Sequence, residues 1–183
     1  MNLLFKTTFI HFRRVDFNVP LENGKVADST RITASIPTLR FLLNSGAKKI
    51  ILISHLGRPD GERKESLSLK PVAIELEALM EEKVRFIYDC VGDEVVSACN
   101  SSNERLVMLE NLRFHIEEEG TCKRKDGSCV SSSLEDQIKF QSSLSQLGDI
   151  YVNDAFGTVH RSHSSISGIT IKTRVAGLLV QKE

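Results

Sequence analysis

The sequence predicts an α/β fold in which a mainly parallel β-sheet is flanked by helices. Short apolar runs typical of buried strands alternate with longer segments whose apolar residues recur at helical spacing. The run KIILIS at residues 49–54 is apolar almost throughout, as expected of a strand covered on both faces of a parallel sheet. The chain has 183 residues, of which 40% are hydrophobic and 26% charged, so it is long enough to bury such a core.

The first half of the chain predicts strands and helices in alternation. Residues 8–17 have the apolar pattern of a strand. Asp28 or Ser29 can cap a helix over residues 30–44, and Pro37 within it predicts a kink or a later start. The elements that follow are the strand at 49–54, a helix from Ser68 to Met80 with Pro71 in its first turn, and a short strand at 84–87.

The second half continues this alternation. It predicts, in order, a strand at 106–109, a helix at 133–147, a strand at 150–152 and the start of a helix at 174–183. Ile138, Leu144 and Leu147 are expected to share the inward face of the helix at 133–147. The acidic run at residues 117–119 indicates a solvated surface.

Composition argues against several classes of protein. The 24 basic and 24 acidic side chains give a formal net charge of zero, which argues against a generally basic nucleic-acid-binding protein. No apolar run approaches the roughly 20 residues that span a bilayer, so no membrane partner is expected. The four cysteines show neither a C-x-x-C pair nor zinc-ligand spacing, so free thiols in a reducing cytosol are expected. Cys90, which follows Asp89, is interpreted as a buried structural thiol, with a reactive thiol as the alternative.

Cationic and hydrogen-bonding side chains follow several of the predicted strands. Because ligands of open parallel sheets bind outside the carboxyl ends of the strands, these side chains are expected to converge at one edge. Clustered cations repel one another unless they are solvated or meet an anion, and arginine binds phosphate or carboxylate with two parallel hydrogen bonds. The sequence therefore predicts a site for a small, strongly anionic metabolite. The expected cations and imidazole are Arg31, His55, Arg58, Arg113 and Arg161, while Asp16 and Asn18 suit a ligand hydroxyl.

Rival motifs for nucleotide-binding, hydrolytic and metal sites are weak or absent. The chain has no G-x-x-x-x-G-K-[ST] phosphate loop, no G-x-G-x-x-G fingerprint and no G-x-S-x-G nucleophile turn. His160 and His163, with Asp154 nearby, lack the helical i, i+4 spacing of a zinc protease. We therefore expect no metal ligands and no cofactor-binding residues in this chain.

Seven segments of the sequence resemble the N-terminal domain of the phosphoglycerate kinase family. They occur in the order found in that family, and several long motifs in order are more specific than any one alone. The segments are RVDFNVP (14–20), RI (31–32), SHLGRPDGER (54–63), SLKPVA (68–73), DCVG (89–92), LENLRFHIEEEG (109–120) and NDAFGTVHRSHSS (153–165). The chain departs from the family pattern over residues 1–13, and at Val159 and Ser162, where alanine is usual.

The resemblance implies a glycolytic enzyme that transfers a phosphoryl group reversibly between 1,3-bisphosphoglycerate and ADP, giving 3-phosphoglycerate and ATP. It implies that residues 1–183 form a three-layer Rossmann-like domain that binds the glycerate ligand. Mg-ATP or Mg-ADP is expected on a C-terminal domain that this chain lacks, so the chain alone is expected to bind substrate without turnover. Members of the family are usually cytoplasmic monomers.

The resemblance also implies roles for individual residues. Asp16 and Asn18 are expected at the hydroxyl and carboxylate end of the glycerate, and Arg31, the expected catalytic residue, next to the transferring group. The expected substrate-binding set is Asp16, Phe17, Asn18, Arg31, His55, Leu56, Gly57, Arg58, Arg113 and Arg161, of which His55, Arg58, Arg113 and Arg161 hold the phosphate that is not transferred. The alternative function is a non-catalytic module that binds a phosphorylated carboxylic acid. Nucleic-acid binding through the basic edge is the weakest hypothesis, because few aromatic residues lie among the cations.

Overall fold

The computed structural model describes residues 9–123, 127–158 and 160–181. Residues 1–8, which include the expected start of the first strand, and Val159 lie outside the described residues, as does the end of the expected C-terminal helix at residues 182–183. The strands are β1 (Ile10–Arg14), β2 (Leu21–Glu22), β3 (Lys25–Val26), β4 (Lys49–Ile53), β5 (Val84–Ile87), β6 (Leu106–Leu109), β7 (Thr121–Lys123), β8 (Cys129–Ser131), β9 (Ile150–Asn153) and β10 (Thr173–Ala176). The α-helices are α1 (Thr30–Asn44), α2 (Lys70–Met80), α3 (Asp93–Ser101), α4 (Leu134–Ser145), α5 (Ser164–Ser167) and α6 (Leu178–Gln181).

Six of the strands form one parallel sheet in the order β10-β9-β1-β4-β6-β5. The first strand therefore lies in the middle, with β4 on one side and β9 on the other. β2 pairs with β3, and β7 pairs with β8, as small antiparallel hairpins outside the sheet. The carboxyl ends of β1, β4, β6 and β9 meet at one edge of the sheet because all four run in the same direction.

Helices cover both faces of the sheet and make a three-layer domain, which confirms the predicted fold class. Ile50 and Leu52 of β4 pack into one core with buried residues of α1 and α2, such as Leu39 and Leu76. Ile51 of the same strand packs into a second core with buried residues of α3 and α4. All five residues of β4 are buried, as the unbroken apolar run predicted.

Helix α1 begins at Thr30 and continues past Pro37 to Asn44, so the predicted later start is wrong. Asp28 accepts hydrogen bonds at Oδ1 from the Thr30 amide, at 2.8 Å, and from the Thr30 hydroxyl, which fixes the first turn. A proline inside a helix costs about 3 kcal/mol. The apolar face of α1, which includes the fully buried Ile32 and Leu39, offsets that cost because its burial stabilises the helix by a comparable amount.

In the second half of the chain, the helices and the main sheet differ from the prediction in three places. Ile138 is 54% exposed, and Phe140 takes the inward position on α4 with Leu144. The residues from Thr173 to Ala176 form the edge strand β10, and only the short helix α6 follows. Helix α3 was not predicted, although Val95 and Cys99, four residues apart, are both buried.

The described helices are too short or too polar to cross a lipid bilayer. All four cysteines are free thiols, and Cys90 and Cys99 are buried. Burial raises the pKa of the Cys90 thiol well above its ordinary value, an effect that neighbouring carboxylates increase. Cys90 is therefore a protonated, buried thiol at neutral pH, as the structural interpretation expected.

Candidate functional site

A cleft of about 680 Å³ lies at the carboxyl ends of β1, β4, β6 and β9. The loops after these strands supply most of its lining, and the β7–β8 hairpin adds Lys123 at the side. Five cationic side chains face three carboxylates across the cleft, so its lining is net positive. The cations are Arg31, Arg58, Arg113, Lys123 and Arg161, and the carboxylates are Asp16, Asp60 and Glu119.

The cleft brings together eight of the ten residues expected at the site. They are Asp16, Asn18, Arg31, His55, Gly57, Arg58, Arg113 and Arg161. The side chains of Phe17 and Leu56 instead point into the apolar core, where they are 0% and 3% exposed. Their peptide groups join the loops beneath the cleft, because Phe17 N donates to Ser54 Oγ at 2.9 Å and Leu56 N donates to Asn111 Oδ1 at 3.2 Å.

The sequence did not predict the remaining lining residues. They are Asp60, Glu119, Thr121, Cys122, Lys123, Gly157 and Thr158. The short strands of the β7–β8 hairpin carry too little pattern to be found from sequence. The acidic run at 117–119 was misread as a solvated surface: Glu118 is 1% exposed, and Glu119 pairs with Arg113 in the cleft.

A series of hydrogen bonds connects the loop after β1 with the loop after β4. Asp16 Oδ2 accepts a charged hydrogen bond from Arg31 Nη1 at 2.6 Å. Asn18 Oδ1 accepts from the amide of Gly57 at 2.9 Å. Gly57 has a φ of +61°, and a Cβ there would come within 2.8 Å of Leu67 Cδ2, so the position favours glycine. Its carbonyl accepts from Arg113 Nη1 at 2.8 Å, which extends the chain of contacts to the loop after β6.

The arginines of the cleft fall into two groups. Arg31 and Arg113 have carboxylate partners, and Arg113 Nη2 lies 2.9 Å from Glu119 Oε1. Burial lowers the pKa of Arg113, which Glu119 opposes, and a guanidinium of this kind stays charged at neutral pH. Arg58 and Arg161 are exposed and make no ion pair with any described residue. These two side chains are thus the cations most able to turn toward an anion.

His55 is neutral at physiological pH. Burial, together with the positive charges of Arg14 and Arg113, lowers its pKa to about 2. Arg14 Nη2 lies 3.2 Å from His55 Nδ1, and because a guanidinium can only donate, Nδ1 must accept. The ring proton therefore lies on Nε2, which makes His55 a hydrogen-bond donor for an oxygen atom in the cleft.

A buried network lies behind His55. The carboxylate of Glu118 accepts hydrogen bonds from the hydroxyl of Ser165 at 2.6 Å and from its amide at 3.0 Å. Arg14 donates from Nε to Ser165 Oγ at 3.0 Å and lies 3.9 Å from Glu118. Burial lowers the pKa of His163 to about 4, and Arg113 and Arg14 contribute to the shift. The network orients Arg14, and through it the tautomer of His55.

The geometry suits a ligand with several negative charges and at least one hydroxyl group. Unpaired guanidinium groups bind phosphate or carboxylate oxygens with two hydrogen bonds, and the neutral His55 adds a third donor. Asp16 and Asn18 supply acceptor oxygens, which arginines lack.

Comparison with known proteins decides the family. The model of the family "Phosphoglycerate kinase" matches residues 6–183.

This chain belongs to the phosphoglycerate kinase family.

Its relatives within the family come from distant organisms. The chain is 53% identical over 171 residues to phosphoglycerate kinase of Plasmodium falciparum, covering 93% of this chain and 41% of that protein. It is 51% identical over 184 residues to the enzyme of Candida maltosa, covering 100% of this chain and 43% of the relative. The chain thus spans about two-fifths of the length of these phosphoglycerate kinases.

Solved phosphoglycerate kinase structures share the fold. The structure from Pyrococcus horikoshii superposes with a TM-score of 0.80 at 32% identity, covering 99% of this chain and 42% of that one. The structure from Coxiella burnetii gives a TM-score of 0.75 at 28% identity, with 99% and 41% covered.

Proposed function

We propose that this chain is the 3-phosphoglycerate-binding part of a phosphoglycerate kinase, which transfers a phosphoryl group reversibly between 1,3-bisphosphoglycerate and ADP. The observation that carries the proposal is the cleft at the carboxyl ends of four parallel strands. There Arg58 and Arg161, which have no carboxylate partner among the described residues, lie with a neutral, donating His55. The cleft suits an anionic ligand with a hydroxyl group, and membership in the family suggests that this ligand is 3-phosphoglycerate. Asp16 and Asn18 bind the hydroxyl and carboxylate end, and His55, Arg58, Arg113 and Arg161 bind the 3-phosphate.

The cleft supplies positioning and charge neutralisation. In the direction of 1,3-bisphosphoglycerate synthesis, a carboxylate oxygen of 3-phosphoglycerate forms a bond to the γ-phosphorus of ATP, and the bond from that phosphorus to the β–γ bridging oxygen breaks. The acceptor is already deprotonated, so the chain needs no general base. Because charge spreads over the equatorial oxygens of the transferring group, a nearby guanidinium stabilises the transition state. Arg31, which is 52% exposed and paired with Asp16, is the group we assign to that position.

We place the binding of Mg-ATP and Mg-ADP outside these 183 residues. The sequence has no phosphate-loop motif, and the chain spans about two-fifths of the length of its relatives. The isolated chain is therefore expected to bind the glycerate ligand but to form no ATP from 1,3-bisphosphoglycerate and ADP. A cytoplasmic location and a monomeric state remain predictions from the family.

Calorimetric titration of the 183-residue chain with 3-phosphoglycerate at low salt tests the binding role. We expect saturable one-to-one binding. Two related ligands separate the contributions: glycerate lacks the phosphate, and glycerol 3-phosphate lacks the carboxylate, so each is expected to bind more weakly. Binding of glycerate as tight as that of 3-phosphoglycerate, or no binding at millimolar concentrations, contradicts the proposal.

A coupled assay for ATP tests the assignment of the nucleotide site. ATP formation by the isolated chain would show that a nucleotide site lies within it. Conversely, a protein that contains this chain and extends to the length of its relatives is expected to turn over. Binding without turnover in the extended protein would favour the non-catalytic module.

A further inference from the structure

Three potential metal ligands lie together outside the cleft. A carboxylate oxygen of Asp89, Sγ of Cys90 and a ring nitrogen of His115 are all within 4.8 Å of one another. Asp89 and Cys90 follow β5, and His115 follows the short helical turn after β6. The sequence does not reveal this cluster, because the histidine is distant in sequence and only the parallel pairing of β5 with β6 brings the loops together.

We propose that Asp89, Cys90 and His115 form a binding site for a borderline-soft divalent cation such as Zn²⁺. A thiolate, an imidazole and a carboxylate are the three ligand types that zinc takes in proteins, and a combination with sulfur excludes Mg²⁺ and Ca²⁺. Three protein ligands leave a fourth position for water. The cluster is independent of the glycerate site, because none of its residues lines that cleft.

The environment of the Cys90 thiol also points to a bound cation. Cys90 is fully buried, and its Sγ makes no hydrogen bond with any part of the chain that the structure describes. Cation binding displaces the thiol proton, which passes to the buffer, and the sulfur–metal bond forms in its place.

The other two ligands give the cation access and room to adjust. Asp89 is half-exposed, and the partly exposed His115 lines a hollow of about 290 Å³ between the β5–α3 loop and α4. His115 Nε2 and Asp89 Oδ1 are 2.7 Å apart and hydrogen-bonded to each other without a metal. Ligand atoms of a tetrahedral zinc site lie about 3.5 Å apart, so side-chain movements of about 1 Å complete the geometry. Lys139, the cation of this hollow, is already paired with Glu135 at 2.7 Å.

Cobalt titration of the whole 183-residue chain tests the proposal, because Co²⁺ reports its ligands in its absorption spectrum. In a reducing buffer without phosphate, we expect one equivalent of Co²⁺ to bind and to give a thiolate-to-cobalt charge-transfer band. Zn²⁺ added afterwards is expected to abolish the band by displacement. The absence of a charge-transfer band at saturating Co²⁺ overturns the proposal.

Variants identify the ligands. Cys90→Ser is expected to remove the band. His115→Gln, at a partly exposed position where glutamine can still donate to Asp89, is expected to weaken Zn²⁺ binding at least about tenfold, since loss of even an indirect partner of a metal commonly costs 10–100-fold. The matched controls are Cys129→Ser and His160→Gln, which alter an exposed thiol and an exposed histidine outside the cluster. A band that persists in Cys90→Ser, or one that disappears in Cys129→Ser, contradicts the assignment; circular dichroism establishes that each variant is folded.

Discussion

Arg58 and Arg161 differ from the other arginines of the cleft because neither has a carboxylate partner among the described residues. A guanidinium with a carboxylate partner must give up or share that ion pair when it binds a ligand. A guanidinium without a partner forms its first ion pair with the ligand and loses none. The unpaired arginines are therefore expected to determine affinity. Arg31, which is paired but half-exposed, is expected to act on the reacting group instead.

Replacement of Arg161 by alanine is expected to weaken binding of 3-phosphoglycerate. Each charge-assisted hydrogen bond contributes about 1.5–3 kcal/mol, so the Kd should rise roughly 10–100-fold in calorimetry of the 183-residue chain. Arg40→Ala, which removes an exposed arginine of α1 outside the cleft, is the control and should leave the Kd unchanged. An unchanged Kd for Arg161→Ala removes this residue from the site.

Arg31→Ala is expected to affect turnover far more than binding. In a protein that contains this chain and extends to the length of its relatives, kcat should fall about 10³–10⁵-fold, because a guanidinium at the transferring group acts mainly in the transition state. The Kd for 3-phosphoglycerate should change less than about tenfold. Arg40→Ala, on the same helix, again serves as the control. Weaker binding of 3-phosphoglycerate with an unchanged kcat would show that Arg31 stabilises the bound substrate and not the transition state.

For individual residues, the sequence predicts which charged side chains lie together in the cleft, but not which side chains point into the core. His55, Arg58, Arg113 and Arg161 were predictable because each follows a parallel strand, and parallel strand ends converge. The direction of Phe17 and Leu56 depends on loop dihedral angles that no periodicity encodes. Glu118 was misread for the same reason: burial of a carboxylate depends on Arg14 and Ser165, which are distant in sequence.

At the scale of secondary-structure elements, Asp154 joins four of them. It follows β9, and its carboxylate forms a buried ion pair with Arg13 of β1. The same carboxylate accepts a hydrogen bond from Thr38 Oγ1 of α1 at 2.9 Å and one from the amide of Leu179, at the start of α6, at 2.9 Å. Removal of this charge therefore leaves a buried guanidinium and a helix end without their partner.

Asp154→Asn is expected to lower the free energy of unfolding by about 3–5 kcal/mol, because Arg13 then remains buried without a counter-charge. Urea unfolding measures the loss. The double variant with Arg13→Met should recover much of it, since an apolar side chain can replace a buried ion pair at little cost. Lys139→Ala, which breaks an exposed pair on α4, should change stability by less than about 1 kcal/mol. Equal losses in the single and double variants would rule out the uncompensated charge as the cause.

Strands and helices were predictable where their apolar residues are strongly buried and recur at regular spacing. The predicted strands at 84–87, 106–109 and 150–152 agree with β5, β6 and β9 to within one residue. β10 was missed because Thr173–Ala176 is mostly exposed, and its strand conformation comes from pairing with β9 at the edge of the sheet. Ile138 was placed inward from its apolarity alone, whereas the packing of α4 selects Phe140.

At the scale of the whole molecule, the neutral buried histidines connect stability to pH. Burial lowers the pKa of His55 to about 2 and that of His163 to about 4, against about 6.5 for an unfolded histidine. Below pH 6.5 the unfolded chain therefore binds more protons than the folded one. The contribution of the two neutral rings to the free energy of unfolding is fully present above pH 6.5. It is lost as the pH falls toward 4 for His163 and toward 2 for His55.

Between pH 7 and pH 5, each of these two histidines is expected to remove roughly 1–2 kcal/mol from the free energy of unfolding. Urea unfolding at the two pH values measures the change. His163→Gln should reduce the difference by about the share of one histidine. His160→Gln, at an exposed position, should leave it unchanged. A wild-type pH dependence in His163→Gln would contradict the role given to burial of this ring.

The fold class was predictable because it depends on local alternation of strands and helices. The order of the strands was not, since it depends on contacts between distant parts of the chain. That order has a consequence for biosynthesis. β1 is made first, yet it lies in the middle of the sheet, and Ile10 N donates to Asp149 Oδ2, 139 residues further along the chain.

During translation, β1 can pair with β4 early, but its other edge waits for β9. Until then, Arg13 lacks the carboxylate of Asp154, and β1 presents an open edge that can pair with other chains. Such long-range closure is slow because the entropy of the loop is lost before the contacts form. Nascent chains that end before Asp154 are therefore expected to aggregate readily, and ribosome-associated chaperones are expected to hold them until β9 emerges.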